Sequence, residues 1–126
     1  MIKYLLIASF LLISIIGPTS AQTTFGAGDT VLAYWEGNNL YFVGTVVEKS
    51  AANGTYKIIF ADGDQAVLAS NLVRKMDIAV GSKVMAMWSD KKYYPGTVAK
   101  IVGGALFINY DDGDKGWTSW AGVAVP

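Results

Sequence analysis

The chain has no cysteine and no histidine among its 126 residues, and only three prolines. Without cysteine it can form no disulfide, offer no thiolate nucleophile and carry no lipid-modified cysteine. Without histidine, the Ser-His and Cys-His arrangements of nucleophilic catalysis are closed to it. A surplus of charge is missing too. Ten Lys plus Arg balance ten Asp plus Glu, whereas a protein that neutralises a run of phosphates needs a basic excess. Lys91-Lys92 and Arg74-Lys75 are short clusters that read as solvated faces. Ser-Lys or carboxylate chemistry stays open on composition, but no such residues are spaced to suggest it. The chain is therefore expected to be no enzyme and to hold no cofactor, and nucleic acid is an unlikely class of partner.

The first twenty-one residues stand apart from the rest. Lys3 gives a positive start, Tyr4 to Ile16 form an apolar run, and Gly17-Pro18 breaks it ahead of Thr19-Ser20-Ala21. That order predicts a signal peptide, residues 1–21, cleaved after Ala21, and hence an exported protein, secreted or periplasmic. A membrane anchor would need an apolar run of about 20 residues, so no stable anchor is expected. Removing the leader costs only Lys3 among the charged residues, which moves the net charge from 0 to −1.

What remains is a pattern that occurs twice. Gly28-Asp29-Thr30-Val31-Leu32-Ala33-Tyr34-Trp35 matches Gly81-Ser82-Lys83-Val84-Met85-Ala86-Met87-Trp88. Tyr41-Phe42-Val43-Gly44-Thr45-Val46 matches Tyr93-Tyr94-Pro95-Gly96-Thr97-Val98, and Tyr56 to Asp64 matches Leu106 to Asp114. A period of about fifty residues means two copies of one folding unit. Within a copy, alternation puts Val31, Ala33 and Trp35 on one strand face. Asn53-Gly54, Gly103-Gly104, Asp62-Gly63 and Asp112-Gly113 supply hairpin chemistry. Strands are expected at 30–35, 40–49, 55–60, 65–68 and 72–74 in the first copy. In the second copy the last two are expected at 115–118 and 122–125. The linker, Met76 to Val80, is too short for independent bodies, so the copies should touch.

A Gly-x-x-Val-x-Ala-x-Trp strand, an aromatic-x-Gly-x-Val strand and an aromatic-x-Asp-Gly-Asp turn, in that order and twice over, resemble the Tudor family of SH3-like barrels. The resemblance implies an all-β fold of two tandem five-stranded SH3-like (Tudor-like) barrels after a cleaved signal helix, with the barrels at 28–75 and 81–126. It also implies a function. Tudor domains that bind methylated Lys or Arg hold the methylammonium in a rim cage of aromatics from the first three strands, helped by a carboxylate. Carried over by position, the first barrel supplies Trp35, Phe42, Phe60 and Asp62. The second supplies Trp88, Tyr94, Tyr110 and Asp112, with Asp114 beside them. Where many such cages have a further aromatic after the Asp-Gly turn, this chain has Asp64 and Asp114. The second barrel is the expected site, because Phe is a poorer cation–π partner than Trp or Tyr.

Other readings compete. Aromatics of these types also fill the cores of small barrels. The acids at 111–114 are also compatible with a calcium loop, but the ligand positions it would need fall on Gly116 and Val123. Asn53-Gly54-Thr55 spells a glycosylation sequon, though its hairpin accounts for the same residues. Trp117 and Trp120 have no aromatic counterparts in the first copy, where Val67 and Ser70 stand. Two functions follow: an exported module that holds a methylated Lys/Arg-like group on a protein or peptide partner, or a structural interaction domain whose aromatics serve packing.

Overall fold

The computed structural model describes residues 24–126, so the leader assigned to 1–21 lies outside the described residues. Ten strands follow one another: β1 Thr30–Trp35, β2 Leu40–Ser50, β3 Thr55–Phe60, β4 Gln65–Ala69 and β5 Val73–Lys75 in the first repeat. The second repeat has β6 Lys83–Met87, β7 Tyr93–Val102, β8 Ala105–Tyr110, β9 Lys115–Ser119 and β10 Val123–Val125. A single 3-10 turn precedes each closing strand, at Ser70–Leu72 and at Trp120–Gly122. Every pairing is antiparallel, and each repeat has the order closing strand, first, second, third, fourth. The described chain is two five-stranded units in tandem.

Local chemistry explains why each unit curls. The long second strand must turn from one partner to the next, and it does so at Gly44 and Gly96. A Cβ on Gly44 would stand 2.7 Å from Ile58 Cγ2, and one on Gly96 would stand 2.8 Å from Ile108 Cγ2. Only glycine lets the two backbones approach that closely. Beyond each crossing the register shifts, between Val46 and Glu48 and again between Val98 and Lys100. Such bulges bend and twist the strand further. At the Asp-Gly turns, Gly63 and Gly113 sit at φ 96° and 97°, where L-residues are disfavoured. The preceding aspartates brace these turns: Asp62 Oδ1 accepts from Asp64 N–H, and Asp112 Oδ1 from Asp114 N–H, each at 2.9 Å.

The two units share a sheet. Strand β2 splits its far edge, so that residues 44–50 pair with β3 while Phe42 and Tyr41 pair with Ala124 and Val125 of β10. Strand β10 thereby closes its own barrel against β6 and docks on the first repeat with its other edge. Alternation along β1 sends Val31 and Ala33 into the first core, with Val46, Tyr56, Ile58, Phe60 and Val73. Leu32, on the opposite face, is also buried, at 2% exposure. It belongs with Val43 to the second core, together with Val84, Val98, Leu106, Ile108 and Val123. The linker contributes Ile78 to that core. Phe25, upstream of the expected start of the first barrel, is buried edge-on against Tyr56 with ring centroids 6.0 Å apart. Among the described residues the phenols of Tyr56 and Tyr110 are the polar groups on buried side chains, and no helix is long and apolar enough to cross a membrane.

Candidate functional site

The rim of the first repeat carries a cavity of about 120 Å³ that gathers all four residues expected there. Trp35 reaches it from the end of β1 and Phe42 from the start of β2. Phe60 comes from the end of β3, and Asp62 from the turn beyond. Trp35 and Phe60 meet edge to face, with centroids 5.3 Å apart and planes at 80°. The turn after β1 folds over the indole so closely that a Cβ on Gly37 would lie 2.9 Å from Trp35 Nε1. Asp64 and Asn38 add polar atoms, and among the described residues no basic one lines the cavity.

One wall comes from the other repeat. Tyr93, at the start of β7, and Ala121, in the last 3-10 turn, complete the lining. Tyr93 stands edge to face with Phe42 at 5.4 Å and 82°. Its phenol is pushed above the ordinary tyrosine value, first by burial and then by the charge of Asp62. The hydroxyl and the carboxylate therefore sense each other across the seam. Tyr93 was not among the expected site residues, because its counterpart in the first copy is Tyr41. No rule of spacing within one barrel points to it; only the docking of the two barrels does.

The second repeat disposes its expected residues differently. Trp88 and Tyr110 pack edge to face at 5.1 Å, and the Tyr110 hydroxyl donates to the Met87 carbonyl at 2.8 Å. The indole lies over Gly116, where a Cβ would come within 3.2 Å of it. Tyr94 is 37% exposed and donates its hydroxyl hydrogen bond to Asp90. That bond is the main cause lowering the Asp90 carboxyl below its usual range. The open groove beside Trp88, about 330 Å³, is lined by Met87, Ser89, Lys91, Trp117 and Thr118 rather than by Tyr94, Tyr110, Asp112 or Asp114. So the structure gathers the first-barrel set around one cavity, while in the second repeat Trp88 pairs with Tyr110 and the charge of Asp112 bears on both Tyr110 and Tyr94. Among the described residues no group of three His, Cys, Asp or Glu side chains is placed to hold a metal ion.

Residues 27–76 match the family model described as the DNA repair protein Crb2 Tudor domain. The crystal structure of the Crb2 tandem Tudor domains has the same architecture, with a TM-score of 0.58 at 17% identity, covering 82% of each chain. The described chain has the fold of a tandem Tudor protein. Two further structures were found: the tandem Agenet domain 3-4 of ADCP1 and the AGD34 segment of Arabidopsis thaliana AGDP1. The first has a TM-score of 0.38 at 18% identity and covers 81% of this chain and 80% of that one. The second has 0.39 at 20% and covers 81% and 82%. No curated protein matches the sequence. In this Tudor-like tandem, the place where many cages carry an aromatic after the Asp-Gly turn is taken by Asp64. The remaining wall is the second repeat's Tyr93.

Proposed function

We propose that the chain is a binding module, not an enzyme, and that its first-repeat cavity receives a cationic head group of the methylated Lys or Arg kind on a protein or peptide partner. One observation carries the reading: four aromatic side chains and two carboxylates line a single cavity that, among the described residues, no basic one enters. A methylammonium cannot satisfy water fully, and ring faces attract it while a carboxylate offsets its charge. Each cation–π contact contributes about 0.5–2 kcal/mol. A single cavity therefore binds weakly, and the partner's chain must add the rest. The leader supports export as the setting, which separates this module from the nuclear tasks of histone-reading Tudor domains.

The test is a titration of the mature protein with trimethyl-lysine and unmodified-lysine peptides, followed by backbone amide NMR. Shifts confined to the modified peptide, centred on Trp35, Phe42, Phe60 and Tyr93 and lost in a folded Trp35→Ala variant, are expected. Equal responses to both peptides, or none at these residues, would make the structural interaction domain the better reading.

A further inference from the structure

Trp117 is the one tryptophan that neither repeat's core uses, and it is 54% exposed. It stands on the outer face of β9, opposite Phe107 of β8, which in turn stands opposite Lys100 of β7. The two rings lie 5.0 Å apart at 55°, and Lys100 Nζ sits 5.4 Å from the Phe107 ring. The first repeat serves as an internal control. Its equivalent row, read from the same registers, is Glu48, Lys57 and Val67. The same barrel therefore closes with a charged pair and a valine in these places. Nothing in the fold requires aromatics here, and an exposed indole stacked on a phenyl ring has to be explained by what it meets.

The surroundings restrict what that is. Flanking the aromatic pair on the same face are Thr97, Asn109 and Lys115 on one side and Val102, Ala105 and Ser119 on the other. The groove that Trp117 shares with Trp88 adds Ser89, Lys91 and Thr118. Lysine is thus the only charged residue in these rows and in the groove lining, and every other polar group there is a hydroxyl or an amide. The local charge repels a methylammonium, so this is no second copy of the first-repeat site. Three lysines in a chain of net charge 0 do not form the basic track that a run of phosphates requires. Two rings with Val102 and Ala105 beside them are also too little apolar surface for a stable protein interface. The chemistry that fits is a ring with one apolar face, hydroxyls around its edge and one negative charge.

We propose that this face of the second repeat, around Trp117, is a binding site for an acidic sugar unit carrying a carboxylate or a sulfate. The C–H face of the sugar stacks on the indole. Its hydroxyls exchange hydrogen bonds with the Ser, Thr and Asn side chains, and a lysine ammonium meets the anion in a charge-assisted bond. The site is independent of the first-repeat cavity in residues, charge and ligand.

The experiment follows the four indole N–H signals of the full mature chain, with Trp117 identified by its loss in Trp117→Val. Four probes are titrated in parallel: a uronic-acid oligosaccharide, a sulfated oligosaccharide, a neutral oligosaccharide of equal length, and a single-stranded oligonucleotide. The variants Trp117→Val and Lys100→Glu install residues with which the first repeat already folds, and retained amide dispersion checks that they do. A shift of the Trp117 signal by at least one acidic sugar is expected, with affinity falling by about tenfold or more in Trp117→Val and weakening with added salt. Which acidic probe acts decides between carboxylate and sulfate. Four outcomes each overturn the proposal: no Trp117 shift with either acidic probe, a neutral sugar that binds as well, an oligonucleotide that binds more tightly than both, or unchanged binding in Trp117→Val.

Discussion

Phe42 of the first repeat and Tyr93 of the second stand edge to face, 5.4 Å between ring centroids. The pairing places the wall of one barrel's cavity on the other barrel. Tyr93→Ala should therefore weaken cation binding about as much as Trp35→Ala does, by roughly 0.5–2 kcal/mol. Tyr94→Ala should leave it unchanged, because that ring points away to Asp90. Peptide titration of the three variants checks this. Full binding in Tyr93→Ala would show that the cavity is a property of the first barrel alone.

The seam should also be visible in stability. Leu32 lies on β1 of the first repeat yet is buried in the second core. Its truncation to alanine should cost about 2–5 kcal/mol, as for other buried leucines. Either repeat expressed alone should lose stability, since the first half bares Leu32 and Val43 and the second frees an edge of β10. Urea unfolding of the variant and of both halves measures this. A half as stable alone as in tandem would count against a shared core.

Close backbone approach gives a third expectation. At Gly44 a methyl would meet Ile58 Cγ2 at 2.7 Å and the Ile59 carbonyl at 3.1 Å. Gly44→Ala and Gly96→Ala should each destabilise by about 1–3 kcal/mol through overpacking. Gly104→Ala, where nothing lies within 4 Å, should not. Thermal melts of the three variants separate the cases.

Much of this fold was legible in the sequence because its signals are local. Alternation along Thr30–Trp35 and Thr55–Phe60, and the Asp-Gly turns, place both strands where they are observed. A 3-10 turn falls in each gap between the expected fourth and fifth strands, displaced by one residue, at Ser70–Leu72 and Trp120–Gly122. The seam was less legible, because it depends on which outward face meets which. Period-two logic gives Leu32 to solvent, and only the second repeat covers it. Phe42 and Tyr94 hold equivalent register positions, opposite Ala33 and Ala86. A neighbouring barrel is docked beside Phe42, where Ala124 pairs with it, and among the described residues no strand pairs with that edge at Tyr94. Ranking ring types favoured the second barrel, and the docking that brings Tyr93 beside Phe42 could not be read from that ranking.

Alkali should loosen the molecule in a defined way. The phenols of Tyr93 and Tyr110 are both raised, chiefly by burial and secondarily by Asp62 and Asp112. A raised folded value means that the neutral phenol is favoured by the fold. The associated stability is fully present below the unfolded value, about 10, and is lost as pH rises through the folded value. The urea midpoint should fall above about pH 10, and Tyr93→Phe should flatten that limb. A midpoint that holds steady through strong alkali would contradict the assignment.

The last expectation concerns where the tandem stops. In the first repeat the free edge of β2 at Tyr41 and Phe42 accepts β10. The corresponding edge of β7, at Tyr93 to Pro95, carries no strand among the described residues. The Pro95 carbonyl accepts from Asp111 N–H at 3.0 Å, as Val43 accepts from Ala61 N–H at 3.0 Å, so residues 43 and 95 turn their backbone polar groups to the same edge. At 95 that edge lacks its donor, because proline has none. Proline on an exposed edge is a known protection against strand addition. Pro95→Val restores the donor and the residue found in the first repeat. It should keep the fold and gain concentration-dependent self-association through the opened edge. Sedimentation velocity across a hundredfold concentration range, on parent and variant, is the measurement. Association only in the variant is expected, and a variant that stays monomeric throughout would remove Pro95 from that role.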